Sequence, residues 1–496
     1  MEKAEIDAHL RPAQDLIKRK KPREALEQLE RILQQWKPPK DALWRVYEYY
    51  ATCYYGMADL QKWRKYGWAT VTAAEGQPRR IQQGNLSNYV FMMHYFPDVS
   101  DKELRDLHFI YDQFAQAEKP FHHSLSRHRH KKIRIGYLTE ALSENVVNYF
   151  SQHLMTMYDS DRFEVYAYGV RHLQDGITDT LRQHVKKLKI YSDPFMVRKT
   201  AEEIYEDEID ILFDMDLHAT SGRTLMVMCC RPAPVQIGGI GYMSTSGTRA
   251  LDYFLGDPYC DPPGLNEKDF AEQILRMPHT HLGYIPSERV RNQVVRQPYQ
   301  PHHPIVFGSF NNFFKLNDDV LADWLEISHR VPDSHFLIKN STRKTCIMEV
   351  TRQRLLDAGF RPDQFTLEDT TKDYMQRYND VDIMLDTYPY TGGATTCESL
   401  LMGVPVVARY GRRHGSRFSY SLLMNAGLGD LACRTREEYI TLAVALAKSP
   451  ALLQRLHATI PHMFESSPVM NAQQYVRDLE SLYERIWQTW LTKKGK

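Results

Sequence analysis

Two glycines followed closely by two threonines form the stretch of this sequence that best suits anion binding. Gly392 and Gly393 come after the apolar segment 381–385, and Thr395 and Thr396 follow where a helix is expected to begin. Glycine lets the backbone approach a ligand closely, and a helix N-terminus offers unpaired N–H groups and a positive dipole end. The pattern predicts a phosphate or diphosphate site, although an ordinary threonine cap after a glycine turn has the same spacing.

A lysine follows another predicted strand. The segment 307–315, FGSFNNFFK, begins at a strand end and places Asn311, Asn312 and Lys315 in the loop after it. A lysine at that position would neutralise charge on a leaving phosphate. The alternative is a surface lysine, since lysines are mostly exposed.

A histidine follows a third predicted strand, in the segment 214–223, DMDLHATSGR. His218 lies where a general base or a substrate ligand could be placed, although a single histidine in a loop is more often structural. Asp214 and Asp216 also spell the D-x-D of metal-dependent sugar transferases, since carboxylate pairs suit Mg²⁺ or Mn²⁺. Alternation at a strand end explains this pair as well, and we expect no metal site.

The elements that must position these residues form two tandem sets of alternating strands and helices. Strands separated by helical stretches indicate an open, mainly parallel sheet, with ligands at the carboxyl ends of the strands. Two such sheets leave a cleft between them. The predicted strands are 133–138, 163–168, 209–215, 235–240 and 251–255 in the first set, and 305–307, 335–338, 381–385 and 405–408 in the second.

Residues 1 to about 120 read as helical, with no alternating strand pattern. A helix after Pro22 is stopped by Pro38 and Pro39, and apolar-aromatic stretches follow at 43–55 and 63–74. The pattern is typical of one or two tetratricopeptide-type hairpins. Since a free-standing solenoid needs about three repeats, we expect a short helical cap docked on the rest, and a packing role rather than a peptide groove.

Two further segments complete this division of the chain. The basic run 126–132, SRHRHKK, is predicted to be a solvated linker or turn. From Ala472 to about Trp490, an amphipathic helix is expected to bury one face, made of Tyr475, Leu479, Leu482 and Ile486.

Composition excludes several classes of protein. The 496 residues are 43% hydrophobic and 25% charged, with a net charge of +1, so neither disorder nor a global attraction to nucleic acid is indicated. No apolar run is long enough to span a bilayer, and from the charged first residues we expect no signal peptide. The seven cysteines form no C-x-x-C pair; we expect reduced cytoplasmic thiols without a disulfide frame or structural zinc. No P-loop motif occurs.

Taken together, the motifs resemble the O-GlcNAc-transferase family in its bacterial form, from about residue 86 to 490. The match is strong because many short motifs occur in the family's order. They lie at 133–137, 149–150, 163–168, 211–214, 231–236, 241–242, 245–247, 307–315, 385–389, 392–396, 402–407 and 477–487.

This resemblance implies an α/β fold of two Rossmann-like lobes, called GT-B, after a small all-helical tetratricopeptide-like domain. The implied domains are residues 1–125 (helical), 126–300 (N-terminal lobe, acceptor side), 301–470 (C-terminal lobe, UDP-sugar binding) and 471–496 (C-terminal helix).

The resemblance also implies an inverting, metal-independent transfer of GlcNAc or a hexose from a UDP-sugar to Ser or Thr of an acceptor protein. A bacterial surface protein such as flagellin or an adhesin is the expected acceptor. No cofactor, nucleic acid or membrane insertion is implied. The alternatives are a UDP-sugar-binding scaffold without catalysis, and an Asn-glucosylating or glycan-directed transferase of the same fold.

By the family's pattern, phosphate-side residues are well matched. Lys315 contacts the UDP diphosphate and is a predicted catalytic residue together with His218. Asn312 occupies a position that is often Gln or Asn, beside Asn311. Thr395 and Thr396, which follow Gly392 and Gly393, match the family's Thr-Thr pair at the phosphates.

Residues at the nucleoside follow from the same pattern. Tyr374 falls where the family commonly has a His at the uracil, and Arg377 lies one turn on, where an Arg can approach the base. Glu398 lies near the acidic position that can meet the ribose.

The acceptor side departs from the family more than the donor side does. Relatives have an Asp near Ala141 and a His at Asn145, a His proposed to serve the acceptor. Asn145 and Tyr242 are the predicted acceptor-side residues.

Overall fold

The computed structural model describes residues 3–140, 142–171, 173–193, 196–341 and 346–495. Within them, a helical region precedes two lobes, each built on a parallel sheet. This confirms the predicted fold class. Ala141, named above as a departure from the family, lies outside the described residues.

The helical region consists of seven helices that precede the first strand. The first two helices, α1 and α2, form a small core with the start of α3, whereas α3 to α7 contribute to the main hydrophobic core that both lobes share. The region is therefore the docked cap that the sequence predicts. Its helices are α1 Lys3–Lys18, α2 Pro22–Gln35, α3 Leu43–Gly56, α4 Leu60–Ala73, α5 Arg79–Met93, α6 Asp101–Phe109 and α7 Asp112–Gln116.

The first lobe holds a seven-stranded parallel sheet in the order β3-β2-β1-β4-β5-β6-β7. Its central strands are almost entirely buried and apolar, as expected when helices cover both faces. The strands are β1 Ile133–Thr139, β2 Phe163–Gly169, β3 Lys187–Ile190, β4 Ile211–Asp214, β5 Val235–Gly238, β6 Tyr253–Gly256 and β7 Gln273–Arg276; the helices are α8 Gln152–Thr156, α9 Gly176–His184, α10 Val197–Glu206, α11 Arg223–Cys229 and α12 Glu288–Arg291.

The second lobe holds a six-stranded parallel sheet in the order β10-β9-β8-β11-β12-β13. Its strands are β8 Val306–Ser309, β9 His335–Lys339, β10 Phe365–Glu368, β11 Ile383–Leu385, β12 Val406–Arg409 and β13 Ala432–Cys433. The helices of this half of the chain are α13 Asp318–Arg330, α14 Ile347–Ala358, α15 Ala394–Met402, α16 Phe418–Asn425, α17 Arg436–Ala447, α18 Pro450–Glu465 and α19 Ala472–Gly495.

The last helix, α19, returns to the first lobe. Tyr475, Leu479, Leu482 and Ile486 are all buried, so the predicted apolar face is confirmed. The phenol of Tyr483 lies 3.2 Å from that of Tyr137 in β1.

Four strands were missed by the sequence prediction, namely β3, β7, β10 and β13, and all four are sheet edges. Edge strands are short and carry polar residues, as in KLKI of β3, so they lack the apolar run by which central strands are recognised.

The basic run 126–132 is only partly solvated, contrary to the prediction. His128 is buried, and its Nδ1 lies 2.8 Å from Oδ1 of Asp210. Asp210 is itself buried just before β4, and a buried carboxylate requires such partners.

The predicted domain boundaries at 300 and 470 fall between elements, whereas the boundary at 125 falls within a 3₁₀ turn, Leu125–His128. All three stay predictions. Among the described residues, no helix combines the length and hydropathy needed to cross a bilayer.

Two glycines allow the helical region to pack against the first lobe. Gly247 has φ +71°, and a Cβ there would lie 2.0 Å from the carbonyl oxygen of His108 in α6. Gly222 has φ +62°, and its Cβ would lie 2.3 Å from Oγ of Ser87 in α5. No other residue type fits at these contacts, because both the left-handed backbone and the lack of space require glycine.

We expect Gly247→Ala to destabilise the protein more than Gly264→Ala does. Gly264 has φ +85° but no atom within 4 Å of the position that a Cβ would take. Gly264→Ala therefore measures the backbone strain alone, which is about 1–2 kcal/mol. The clash at Gly247 adds roughly 1–3 kcal/mol. Thermal denaturation measures the difference, and equal melting temperatures for the two variants would contradict this account of the docking.

Candidate active site

The ammonium group of Lys315 is buried at the carboxyl edge of the second sheet. A single 3₁₀ turn, residues Phe313–Lys315, follows β8 and directs the side chain inward. Its Nζ donates to the carbonyl oxygen of Thr391 at 2.9 Å and lies 3.8 Å from the ring centre of Tyr390. The side chain is 9% exposed, so the surface-lysine alternative is wrong.

Burial lowers the pKa of Lys315 to about 8, against the opposing pull of the Asp386 carboxylate. A cation that is poorly solvated in this way gains more than a surface lysine does when an anion arrives. The structure thus holds a cation ready for a phosphate.

Asp386, just after β11, shapes the glycine loop, and sequence reasoning missed it. Its Oδ1 accepts from the backbone N–H of Thr387 at 2.8 Å and of Gly392 at 2.9 Å. Its Oδ2 accepts from Oγ of Ser419 at 2.5 Å. The only sequence signal was its position at the end of a predicted strand.

The helix α15 begins immediately after this loop, as predicted. Its N-cap is Gly393, which makes no side-chain capping bond, and the first intrahelical bond runs from the N–H of Cys397 to the carbonyl of Gly393. The N–H groups of Ala394, Thr395 and Thr396 precede that bond and are the donors a helix offers to an anion. The ordinary threonine cap is therefore excluded, because the threonines lie inside the first turn.

The two threonine hydroxyls have different environments. Oγ1 of Thr396 lies 2.8 Å from Oγ of Ser419, and the residue is buried. Thr395 lines a cavity next to the helix start. Thr396 thus supports the loop, whereas Thr395 can reach a ligand.

The two predicted asparagines build the loop that carries Lys315. Asn311 is buried and donates from Nδ2 to Oγ1 of Thr387 at 3.3 Å. Asn312 caps the 3₁₀ turn by accepting from the N–H of Phe314 at 3.1 Å.

A cavity of about 260 Å³ lies between the two lobes beside α15. Three predicted residues line it, Tyr374, Thr395 and Glu398. Sequence reasoning missed the others, which are Val146, Tyr149, Arg289, Phe310, Lys339, Asn340, Ser341, Thr370, Thr371 and Ala394.

Tyr374 and Glu398 form a hydrogen-bonded pair in the wall of this cavity. The phenol of Tyr374 donates to Oε1 of Glu398, and that of Tyr378 donates to Oε2 at 3.3 Å. Burial raises the pKa of Glu398 to about 7. A flat ring beside a buried carboxyl group is suited to a nucleoside, since the ring stacks on the base and the carboxyl group accepts from N–H or O–H groups.

Arg289 brings a cation to the cavity from the opposite side of the cleft. Its Nε donates to Oε1 of Glu144 at 2.7 Å, and its guanidinium lies 5.9 Å from the ring centre of Tyr374. No motif or spacing in the sequence distinguishes it from other surface arginines.

Arg377 is not among the residues that line the cavity. It donates from Nε and Nη2 to the two carboxylate oxygens of Glu368, at 3.0 and 2.6 Å, and also to Asp380. In this structure it braces the end of β10, and its contact with a base stays a prediction.

His218 is fully buried between the helical region and the first lobe. Its Nδ1 lies 3.0 Å from Oγ of Ser87 and its Nε2 lies 2.9 Å from the carbonyl oxygen of Ser246. Since Nε2 must donate to that carbonyl, Nδ1 accepts from Ser87. The geometry does not favour His218 as a base, because it would first have to give up the bond to Ser87; the role stays a prediction.

The two predicted acceptor-side residues are structural in this arrangement. Tyr242 is buried, and its phenol lies 2.7 Å from Nε2 of His108. Asn145 accepts from the N–H groups of Val147 and Asn148, which closes a turn beside the cavity.

The D-x-D pair is also structural. Oδ1 of Asp214 accepts from the N–H groups of Asp216 and Leu217, at 2.9 and 3.0 Å. Oδ2 of Asp216 accepts from the N–H of Glu140 at 2.5 Å. Burial raises the pKa of Asp216 to about 7. These carboxyl groups stabilise a turn.

Comparison with known proteins decides the family. The model of glycosyl transferase family 41 matches residues 110–289 and 285–479, which include both lobes and the residues around Lys315 and α15. The chain belongs to glycosyl transferase family 41.

Several relatives of this family 41 chain carry descriptive names. It is 33% identical over 418 residues to a probable UDP-N-acetylglucosamine–peptide N-acetylglucosaminyltransferase SPINDLY of Hordeum vulgare, covering 81% of this chain and 43% of that protein. The Arabidopsis thaliana SPINDLY is 35% identical over 367 residues, covering 72% and 40%. The chain thus spans less than half the length of these relatives.

A solved structure matches nearly the whole family 41 chain. A point mutant of the Thermobaculum terrenum O-GlcNAc transferase superposes with a TM-score of 0.79 at 26% identity, covering 99% of this chain and 98% of that one. This agreement confirms the predicted GT-B arrangement with a helical region in front.

In this family 41 chain, donor affinity should fall as pH rises through about 8. Burial lowers the pKa of Lys315 to about 8, so its ammonium is charged below that pH and neutral above it. Titration calorimetry with UDP-GlcNAc between about pH 7 and 9 measures the effect, because the diphosphate ester does not titrate there. Lys315→Ala should bind more weakly with a flat profile. A flat wild-type profile would remove Lys315 from the donor site.

Tyr374→Ala should weaken UDP binding by about 1–2 kcal/mol through loss of ring stacking. Tyr374→Phe keeps the ring and removes only the bond to Glu398, and we expect a smaller loss. UDP affinities of both variants, measured side by side, check the placement of the base. Unchanged affinity in Tyr374→Ala would show that the nucleoside lies elsewhere.

Proposed function

We propose that this chain transfers a sugar, GlcNAc or a hexose, from a UDP-sugar to a Ser or Thr hydroxyl of a protein, with inversion and without a metal ion at the diphosphate. The observation that carries the proposal is the buried Lys315 ammonium beside the glycine loop that leads into the uncapped N-terminus of α15. The names of the SPINDLY relatives and of the Thermobaculum protein support the donor class and the peptide acceptor.

In this mechanism the acceptor oxygen attacks the anomeric carbon from the face opposite UDP. Negative charge grows on the β-phosphate as the glycosidic bond to it breaks. Lys315, Thr395 and the N-terminal amides of α15 stabilise that charge, which is the task that divalent cations perform in other transferases.

The proton of the acceptor hydroxyl needs a much weaker helper, worth roughly 10²-fold. Because both nitrogens of His218 are already hydrogen-bonded, we place the proton on a donor phosphate oxygen or on a water chain instead.

A groove on the acceptor side supports a polypeptide substrate. Cavities of about 520 and 480 Å³ lie between the helical region and the loop around Ser221 and Thr220, and Asn85 and Asn88 line both of them. The Nδ2 of Asn85 is buried without a hydrogen-bond partner among the described residues. Amide side chains match the backbone groups of an extended peptide, so we propose a peptide-binding role for these helices in addition to the expected packing role.

We propose a bacterial surface protein, flagellin or an adhesin, as the acceptor, modified in the cytoplasm. All seven cysteines are free thiols, which suits a reducing compartment. The Asn-directed, glycan-directed and non-catalytic alternatives are outcomes of the experiment below.

The test is a donor panel with the purified chain. UDP-GlcNAc, UDP-glucose, UDP-galactose and one GDP-sugar are each incubated with lysate proteins, and nucleotide release and mass shifts on peptides are recorded. We expect release from a UDP-sugar, a shift on Ser or Thr, and initial rates that neither added Mg²⁺ nor brief EDTA treatment changes.

Lys315→Ala should lower that rate by roughly 10²-fold or more, whereas the exposed Lys448→Ala in the same lobe should not. Tight UDP binding without release from any donor would favour the scaffold. Release only from the GDP-sugar would overturn the donor class. Loss of turnover in EDTA that Mg²⁺ restores and Zn²⁺ does not would overturn the metal-free diphosphate site.

A further inference from the structure

A second cluster of reactive side chains lies between the lobes and takes no part in the chemistry above. Cys260 and His281 come from loops after β6 and β7 of the first lobe, and His414 comes from a turn after β12 of the second. One ligand atom from each, the cysteine sulfur and a nitrogen of each ring, lies within 4.8 Å of the others. All three residues are buried, at 0, 0 and 2% exposure.

Each histidine of this cluster is oriented by a carboxylate. The Nδ1 of His281 lies 2.6 Å from Oδ2 of Asp257, and the Nδ1 of His414 lies 2.7 Å from Oδ2 of Asp261. Since a carboxylate only accepts, both Nδ1 atoms carry hydrogen, and in the neutral rings Nε2 presents a lone pair. A carboxylate behind a histidine is the usual outer shell of a metal ligand.

The two Nε2 atoms have no hydrogen-bond partner among the described residues. Aromatic packing accounts for the burial of the His414 ring, whose centre lies 5.0 Å from that of Phe254 and 5.2 Å from that of Phe418. Packing does not explain why two buried Nε2 atoms lack a hydrogen-bond donor, because buried polar atoms nearly always have a hydrogen-bond partner. Such an arrangement suits a ligand that accepts electron pairs.

We propose that Cys260, His281 and His414 bind one Zn²⁺ ion that joins the two lobes. One thiolate and two imidazole nitrogens are a ligand set that zinc takes in proteins, with a fourth position left for water. On binding, the Cys260 thiol releases its proton to solvent and the sulfur coordinates as the thiolate, while both histidines stay neutral. Separation of the lobes exposes the ligands and admits the ion.

The charge of the surroundings fits a dication. The carboxylates of Asp257 and Asp261 lie directly behind the ligands, and a thiolate adds a third negative charge. Arg417 is the nearby cation, and it donates from Nε to the carbonyl oxygen of Tyr259 at 2.7 Å. With Zn²⁺ bound, the charges of the ion, the thiolate, the two carboxylates and Arg417 nearly cancel. Without the ion, the Nε2 atoms of both histidines have no hydrogen-bond partner among the described residues.

The proposal departs from the expectation of no structural zinc, which was based on the missing C-x-x-C motif. The ligands are 21 and 133 residues apart along the chain, as their numbers show, so no local spacing reveals them. The ion does not touch the donor diphosphate in this proposal, so Lys315, and not the ion, neutralises the departing phosphate.

The experiment is a metal analysis of the purified full chain. After expression in zinc-supplemented medium and dialysis against a weak chelator, mass spectrometry of the elements should find about one zinc per chain. Cys260→Ser should lose most of it, whereas Cys346→Ser, at a half-exposed cysteine, should keep it. Among histidines, His414→Ala should lose zinc and the exposed His329→Ala should retain it.

Cobalt provides a direct view of the ligands. Co²⁺ bound through Cys260 should give a near-ultraviolet sulfur-to-metal charge-transfer band, which Cys346→Ser preserves and Cys260→Ser abolishes. If Cys260→Ser fails to fold, Asp261→Asn tests the site through its outer shell and should lower zinc affinity roughly ten- to a hundredfold.

Two results would overturn the site. One is folded wild-type protein that takes up neither zinc nor cobalt. The other is equal metal content in the Cys260, His414 and control variants. Neither readout depends on transferase activity, so a failed donor panel leaves this test unaffected.

Discussion

The rest of the active site depends on one buried contact, between the Lys315 ammonium and the glycine loop that Asp386 holds in place. Asp386 accepts from the N–H of Gly392 and so folds the loop back, and the Thr391 carbonyl that this exposes accepts from Lys315. An ammonium group out of water is costly unless it is paired. The fold offsets that cost with the Thr391 carbonyl, the face of the Tyr390 ring and the more distant Asp386 carboxylate.

The helical region is part of this arrangement and not merely attached to it. The ring of Tyr95 lies 5.5 Å from that of Tyr390, edge to face, and Tyr390 in turn lies under the Lys315 ammonium. Tyr55 packs on Phe314 at 4.7 Å, within the same 3₁₀ turn. The helical region therefore packs directly on the turn and on the aromatic ring that surround the Lys315 ammonium.

A site residue or strand could be predicted from the sequence only where neighbouring residues in the chain mark it. Lys315 and the threonines of α15 each follow an apolar run, and a position after a buried strand is visible in the sequence. Arg289 reaches the cavity only because the lobes fold together, so nothing near it in the chain marks it. The four missed strands show the same limit, since edge strands carry polar residues that resemble loops.

The site assignments that the geometry does not favour have one physical origin. His218 and Tyr242 follow strands as Lys315 does, and strand position alone cannot tell a residue that faces the cleft from one that faces another domain. Both lie under the docked helices, where their polar atoms bond to Ser87 and His108. The helical region therefore buries an edge of the first lobe that would face the cleft if the lobe stood alone.

One segment of the second lobe connects the cluster of Cys260, His281 and His414 to the glycine loop. His414 belongs to the buried cluster, while the carbonyl of Gly415 accepts from Oγ1 of Thr391 at 3.1 Å. Slightly further along the chain, Ser419 donates to Asp386. A tie between the lobes at His414 thus fixes the same backbone that holds the glycine loop, so the position of one lobe relative to the other and the shape of the anion site are set by a single stretch of chain.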